Sequence, residues 1–401
     1  MLAAEHEPGP GGAGGRPGRL AMNATPWLLL VWALLLGGCV SPPPRLQAPE
    51  QLFADAMFKP PARPIDAREV LALDEPMQRY LREQIEPLVR RRGAEQALFD
   101  ALYAQGQLKL DYDSTRTRTA AEAFAARSGN CMSLVVMTGA FAQAMGLQVH
   151  YQSVVTEEVW SRSDDLYFAI GHVNIRLGRA KPGWDTSWMT IDFQPGQDPS
   201  RQHVKEIDQA RVLAMFMNNR AAEALARGDL DEAYAWVREA ARQDPQFAAV
   251  YNTLGVVYLR RGALVQAEAA LRAVRSVEPR NPHALGNLVQ ALLRQGRQAE
   301  ALPLQAELTR LQPTPPFAGF EQGRQAMQAG DYRRARDLFA AEVARSPYYH
   351  EFHFWLALAH LQLGQTRDAS EHLQAAMENS TTPAQHAIYA GKLQRLKAAV
   401  H

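Results

Sequence analysis

The sequence predicts an α+β domain followed by an all-α solenoid, and three observations lead to this fold class. The C-terminal half repeats with a period of 34 residues. Residues 50–212 carry helical patterns first and alternating strand patterns after them, an order typical of an α+β domain. The 401-residue chain also leaves about 350 residues beyond its leader, which is enough for two domains.

The leader has the composition of a targeting segment. Residues 27–36 are an apolar run of ten, too short to span a bilayer as a helix and of the length of a signal h-region. Residues 41–49 contain four prolines and predict a stiff, extended spacer. Translation from Met1 or from Met22 is compatible with this pattern, and the sequence leaves the choice open.

The leader ends in Leu36-Gly37-Gly38-Cys39, which resembles the bacterial lipobox. The resemblance implies a lipoprotein signal peptide over 1–38, a lipidated Pro-rich tether over 39–49, and a lipid on Cys39. The residue after Cys39 is Val40 and not an aspartate. The resemblance therefore also implies that the chain is located at the outer membrane of a bacterial envelope and faces the periplasm. An ordinary cleaved signal peptide is the alternative.

Charge and motif content exclude several function classes. The 43 basic and 42 acidic residues nearly cancel, and the absence of a basic block or an aromatic-interleaved basic patch argues against nucleic acid as a partner. HExxH, paired CxxC, Walker and dinucleotide-binding motifs are absent. We therefore predict no cofactor, no metal and no nucleic acid, and contact with a membrane through the lipid anchor only.

Small residues and prolines mark the repeat in the C-terminal half. A glycine lies in the turn between two helices, an alanine where the helices approach closely, and a proline after the second helix. These positions are Gly228, Gly262, Gly296, Gly330 and Gly364; Ala233, Ala267, Ala301, Ala335 and Ala369; and Pro245, Pro279, Pro313 and Pro347.

This period and these offsets resemble the tetratricopeptide repeat. We count five repeats over 214–383, followed by a C-terminal capping helix over 384–401 that covers the last apolar face. The resemblance implies a protein or peptide partner in the solenoid, although a stack that only packs against its neighbouring domain is the alternative. His350, His353 and His360 lie in the fifth repeat beside aromatic residues, and we interpret them as packing and surface residues in preference to a metal site.

The N-terminal half predicts helices over 67–73, 76–92, 94–105, 119–127 and 131–145, and strands over 147–151, 170–177 and 188–193. In the second strand Val173, Ile175 and Leu177 form the apolar side, which places His172 on the opposite, non-core side. Asp192 likewise lies on the side of the third strand that is opposite its apolar residues. If the two strands pair antiparallel, His172 and Asp192 are cross-strand neighbours.

Cys131 is the candidate nucleophile. It is one of two cysteines, and lipidation of Cys39 would leave it as a free thiol in an oxidising compartment. Asn130 is a natural N-cap, so Cys131 begins a helix whose positive end, with a nearby imidazolium, favours the thiolate. His172 would act as general base and Asp192 would orient it. Tyr112 is an additional candidate for an oxyanion donor.

Three segments carry a resemblance to a known family. They are Gly129-Asn130-Cys131 opening an apolar helix, Gly171-His172-Val173-Asn174, and Thr190-Ile191-Asp192-Phe193. This order resembles the transglutaminase-like core of the papain-like cysteine superfamily. The resemblance implies a transglutaminase-like domain over 50–212 with its core at 110–195, and acyl transfer by Cys131, His172 and Asp192.

The leading functional hypothesis is an envelope-anchored, cysteine-dependent amide or peptide hydrolase or acyl transferase, with a repeat domain for protein binding. The alternative is a non-catalytic scaffold lipoprotein in which both domains mediate protein–protein interaction. A peptidoglycan-directed amidase fits the same residues. The sequence leaves open the substrate, the acyl acceptor and the oligomeric state.

Overall fold

The computed structural model describes residues 45–103, 108, 110–163, 166–178, 188–193 and 203–400, with the backbone alone at 155–170 and 399–400. Residues Arg45–His401 form one compact unit. The predicted signal peptide and Cys39 lie outside the described residues. Within the described residues, no helix has both the length and the apolar character that a membrane crossing requires.

Helices dominate the first part of this unit. They are α1 (Ala67–Val70), α2 (Glu75–Tyr80), α3 (Glu86–Arg92), α4 (Ala94–Tyr103), α5 (Ala120–Ala126) and α6 (Cys131–Ala144). The single helix predicted over 76–92 is interrupted by a π-helical segment, Leu81–Ile85. Pro87 follows this interruption closely and lacks the N–H that a continuous α-helix would use.

The strands form a four-stranded antiparallel sheet and a two-residue parallel pair. The sheet contains β3 (Gln148–Ser163), β4 (Leu166–Gly178), β5 (Trp188–Ile191) and β6 (His203–Ile207), in the order β5-β4-β3-β6. The pair consists of β1 (Asp111–Tyr112) and β2 (Ser128–Gly129). The three predicted strands are present, the first two of them longer than predicted, whereas β1, β2 and β6 were not predicted.

Helix α6 is the centre of the N-terminal core. Asn130 accepts a hydrogen bond from the Ser133 amide at 2.9 Å and caps the helix, as the sequence predicts. The helix is buried from Cys131 to Ala142, and Gly139 lets it approach β3 closely. A Cβ on Gly139 would lie 2.5 Å from the hydroxyl oxygen of Tyr151.

The C-terminal half is a solenoid of helix pairs. Its helices are α7 (Gln209–Ala226), α8 (Leu230–Gln243), α9 (Ala248–Arg261), α10 (Leu264–Val277), α11 (Pro282–Arg294), α12 (Gln298–Leu311), α13 (Ala318–Gln328), α14 (Tyr332–Arg345), α15 (His350–Gln362), α16 (Thr366–Glu378) and α17 (Pro383–Val400). This architecture confirms the predicted solenoid. Gly262, for example, ends α9 with a φ of 82°, a left-handed conformation that glycine adopts without strain.

Residues 46–58 pack on the first two repeats. The hydroxyl of Tyr258 donates a hydrogen bond to the Leu52 carbonyl and accepts one from the Ala54 amide, both at 2.9 Å. Phe58 stacks on Tyr234, with ring centroids 3.9 Å apart. One buried apolar cluster accordingly runs from Leu46 through the N-terminal helices and the sheet into the third repeat.

Candidate functional site

Helix α6 presents Cys131 at its first turn. The Asn130 cap fixes the start of the helix, and the Cys131 side chain is a buried free thiol, 7 % exposed. At this position the unpaired amide groups of the first turn and the positive end of the helix dipole favour a negative charge. Gly129 keeps this turn compact, because a Cβ there would lie 2.6 Å from the Cβ of Ser133.

His172 and Asp192 meet as the sequence predicts, and both side chains are buried. Nε2 of His172 lies 2.8 Å from Oδ1 and 2.9 Å from Oδ2 of Asp192. The pairing of Ile175 with Ile191 places Asp192 opposite Asn174 if the register continues, so His172 is its diagonal neighbour. His172 and Asn174 are buried, as are Val173 and Ile175 on the opposite side, so both sides of this part of the strand are covered.

The surroundings of His172 favour its charged form. Burial opposes an imidazolium, but hydrogen bonds to Asp192 and to Cys131, together with the negative charges on both groups, raise the pKa of His172 to about 9. Since Nε2 is directed at Asp192, Nδ1 is the ring nitrogen left for Cys131. The arrangement suits an imidazolium held against the Asp192 carboxylate, beside the Cys131 side chain.

Tyr112 also reaches the thiol. The parallel pairing of Tyr112 with Gly129 places it beside the start of α6. Burial and then the charge of Cys131 raise the pKa of the Tyr112 hydroxyl, while a hydrogen bond from the backbone N–H of Cys131 lowers it. The Tyr112 hydroxyl therefore lies beside both the backbone N–H and the side chain of Cys131.

Sequence reasoning missed Asn174 as a member of the cluster. Its Nδ2 lies 3.5 Å from Oδ2 of Asp192, two residues along the strand from His172. The period of two that places His172 on one face of β4 also places Asn174 there, so this signal was present in the pattern. Thr117, whose hydroxyl accepts a hydrogen bond from the Asn130 side chain at 2.9 Å, has no comparable signal in the sequence.

The histidines of the fifth repeat pair with one another and with polar neighbours. Nδ1 of His353 lies 3.1 Å from Nδ1 of His372, and Nε2 of His353 lies 2.8 Å from the Pro347 carbonyl oxygen. His350 is buried against the Tyr389 hydroxyl, 2.8 Å away. Across the part of the chain that the structure describes, no group of three or more His, Cys, Asp or Glu side chains could hold a metal ion.

Comparison with known proteins identifies the repeats. Two tetratricopeptide-repeat family models match, one over residues 224–280 and the other over residues 320–383. The C-terminal half therefore contains tetratricopeptide repeats, as predicted. No match to a curated protein was found.

The solved structures that resemble the chain are also repeat proteins. YrrB, titled a TPR protein with an unusual peptide-binding site, is 21 % identical over 45 % of this chain and 92 % of its own, with a TM-score of 0.25. A thermophilic TPR protein of Thermus thermophilus is 18 % identical over 45 % of this chain and 99 % of its own, with a TM-score of 0.27. MamA is 18 % identical over 40 % of this chain and 93 % of its own, with a TM-score of 0.23.

Proposed function

We propose that the chain is a protein-binding scaffold whose solenoid receives a peptide segment of a partner. The observation that carries this proposal is the match of both ends of the solenoid to tetratricopeptide-repeat models. Repeat solenoids offer extended concave surfaces for such segments. The first helices of neighbouring repeats also carry a polar pair, in which Nδ2 of Asn287 donates to Oδ1 of Asn252 at 3.0 Å.

A peptide array probed with the purified protein tests this function. We expect a defined set of peptides to bind, and the pair Asn252→Ala and Asn287→Ala to weaken that binding, because these amides can bond a peptide backbone. Gln290→Ala, an exposed change on α11, is the matched control. Failure to bind any peptide, or equal binding by the asparagine variant, would contradict the proposal.

A second function is favoured by one observation, the buried His172–Asp192 pair beside Cys131. We propose that Cys131 attacks a peptide or side-chain amide carbonyl as a thiolate. A carbon–sulfur bond then forms, and the oxyanion lies near the Cys131 amide and the Tyr112 hydroxyl. His172 gives its proton to the departing amine as the carbon–nitrogen bond breaks, and then takes a proton from the water or amine that releases the acyl group.

Alkylation by iodoacetamide tests for an activated thiol before any substrate is known. An activated Cys131 should react at about pH 6, where an ordinary thiol is slow, and His172→Ala should abolish this reactivity. A thiol that is slow at that pH and indifferent to His172 favours the scaffold alone. Once a substrate is found, full hydrolysis by Cys131→Ala would exclude the cysteine mechanism.

The location is a separate proposal. We propose that Cys39 carries a lipid that anchors the chain to the outer membrane of a bacterial envelope, facing the periplasm. Mass spectrometry of the N-terminal peptide should show a diacylglyceryl cysteine, and Cys39→Ser should release the protein from membranes. An unmodified peptide that begins after another cleavage site would contradict this proposal.

A further inference from the structure

Residues 113–118 join the start of helix α6 to the repeat solenoid. On the α6 side, the Arg118 amide donates to the hydroxyl of Ser133 at 2.8 Å. On the solenoid side, the Thr117 amide donates to Oε1 of Glu223 at 2.6 Å, and Nη1 of Arg220 donates to the Thr117 carbonyl at 3.0 Å. Glu223 and Arg220 belong to α7, the first helix of the solenoid.

The far end of the solenoid contacts the same segment. The Ser114 amide donates to the carbonyl oxygen of Thr381 at 2.9 Å, between helices α16 and α17. The first helix of the solenoid and the end of the fifth repeat therefore bond to Thr117 and Ser114, which are only three positions apart in the chain. This segment lies between β1, which carries Tyr112, and helix α5.

A chain of partly buried hydrogen bonds connects Glu223 to the cap of the Cys131 helix. Thr117 is only 1 % exposed, and its backbone N–H is bonded to the Glu223 carboxylate at 2.6 Å. The Thr117 hydroxyl accepts a bond from Nδ2 of Asn130 at 2.9 Å. The Oδ1 atom of the same amide then accepts from the backbone and hydroxyl of Ser133, at 2.9 and 2.8 Å.

We propose that Glu223 is a positioning residue for Cys131, acting through Thr117 and Asn130. The Glu223 carboxylate holds the backbone of Thr117 by its N–H, and so places the Thr117 hydroxyl where it accepts from Nδ2 of Asn130. That contact keeps Oδ1 of Asn130 directed at the Ser133 N–H, as an N-cap requires. The inference deepens the cysteine mechanism proposed above and rests on it.

The local charges fit this role. Burial raises the pKa of Glu223, while hydrogen bonds from Thr117 and the positive charges of Arg220 and Arg116 lower it. An amide in place of this carboxylate would keep one oxygen and no charge, so the bond from the Thr117 N–H would weaken and the Thr117 hydroxyl would be held less firmly at Asn130. The repeat solenoid thus supplies a group on which the geometry of the nucleophile depends.

Glu223→Gln, Thr117→Val and the double variant test the proposal in the full-length protein. The readouts are the rate of iodoacetamide alkylation of Cys131, at about pH 6 and about pH 9.5, and amide hydrogen exchange at Ser133. The matched control is Glu232→Gln on α8, which removes a carboxylate bonded to Arg227 and Trp236 but not one bonded to residues 113–118.

We expect each single variant to slow alkylation at the lower pH by about tenfold, because the loss of one hydrogen bond to a charged group corresponds to a factor of this size. At the higher pH the rates should converge with those of the wild type. The double variant should lose no more than the singles, since both changes interrupt one relay. Exchange at Ser133 should be faster in all three variants, and Glu232→Gln should match the wild type.

Three outcomes would overturn the proposal: variants that alkylate like the wild type, additive losses, or equal slowing at both pH values, which indicates a purely structural defect. A wild-type Cys131 that is unreactive at the lower pH defeats the cysteine mechanism itself. In that case Ser133 exchange still decides the positioning role, and unchanged exchange in Glu223→Gln rejects it.

Discussion

Replacing Asp192 by Asn should lower the pKa of His172 by more than one unit. The pKa of His172 is raised from 6.5 to about 9, and this difference corresponds to about 3 kcal/mol in favour of the imidazolium. The substitution removes the negative charge of Asp192 and leaves one amide oxygen where two carboxylate oxygens now lie at 2.8 and 2.9 Å. Burial, which lowers the pKa of a histidine, remains.

A proton-detected NMR titration of the imidazole Cε1–H groups measures this pKa, with His172→Gln used to assign the resonance. Glu206→Gln is the matched control, because it removes a carboxylate that lies 2.5 Å from the imidazole of His150 and should leave the titration of His172 unchanged. If His172 titrates in Asp192→Asn as it does in the wild type, Asp192 does not hold its charge and the reasoning fails.

Other substitutions test single contacts of the fold. Gly139→Ala should destabilise the protein by about 1–3 kcal/mol in denaturant unfolding, because its Cβ would clash with Tyr151. Gly391→Ala, which has open space at its Cβ, should not destabilise it. Equal effects of the two substitutions would contradict this packing. Tyr258→Phe should cost about 1–3 kcal/mol because two backbone groups lose their partner, and unchanged proteolysis of residues 46–58 would count against it. Burial and neighbouring histidines lower the pKa of His372 to about 4. The neutral form of His372 therefore stabilises the fold above pH 6.5, and this contribution is lost as the pH falls towards 4. His372→Gln should flatten the dependence of the unfolding free energy on pH in that range, and an identical dependence would refute the assignment.

The repeats could be predicted because their signals are local. Gly262 ends one helix in a left-handed conformation, Ala267 lies where two helices touch, and Pro279 follows a helix that ends at Val277. Each of these requirements involves a short stretch of chain and recurs every 34 residues. The same holds for Asn130, whose capping role depends only on the next three residues.

The features that the sequence did not reveal depend on distant residues. Alternation placed His172 on the side of its strand opposite Val173 and Ile175, but it did not indicate that this second side is buried as well. The first repeat was predicted to begin at residue 214, and its Met215 lies 3.6 Å from the position that a Cβ on Gly171 in β4 would occupy, a contact that no local pattern indicates. Strand β6 is mostly exposed and lacks an apolar face, so its pattern carries no strand signal.

The sequence by itself determined the solenoid, the start of the Cys131 helix and the three residue types of the candidate site, because periodicity, caps and strand alternation act over a few residues. Only the tertiary structure decided that His172 and Asp192 are buried together, that Tyr112 reaches Cys131, and that Glu223 is bonded to Thr117. These contacts join residues up to 106 positions apart. They depend on how the sheet, α6 and the first repeat pack against one another, and no local pattern encodes that packing.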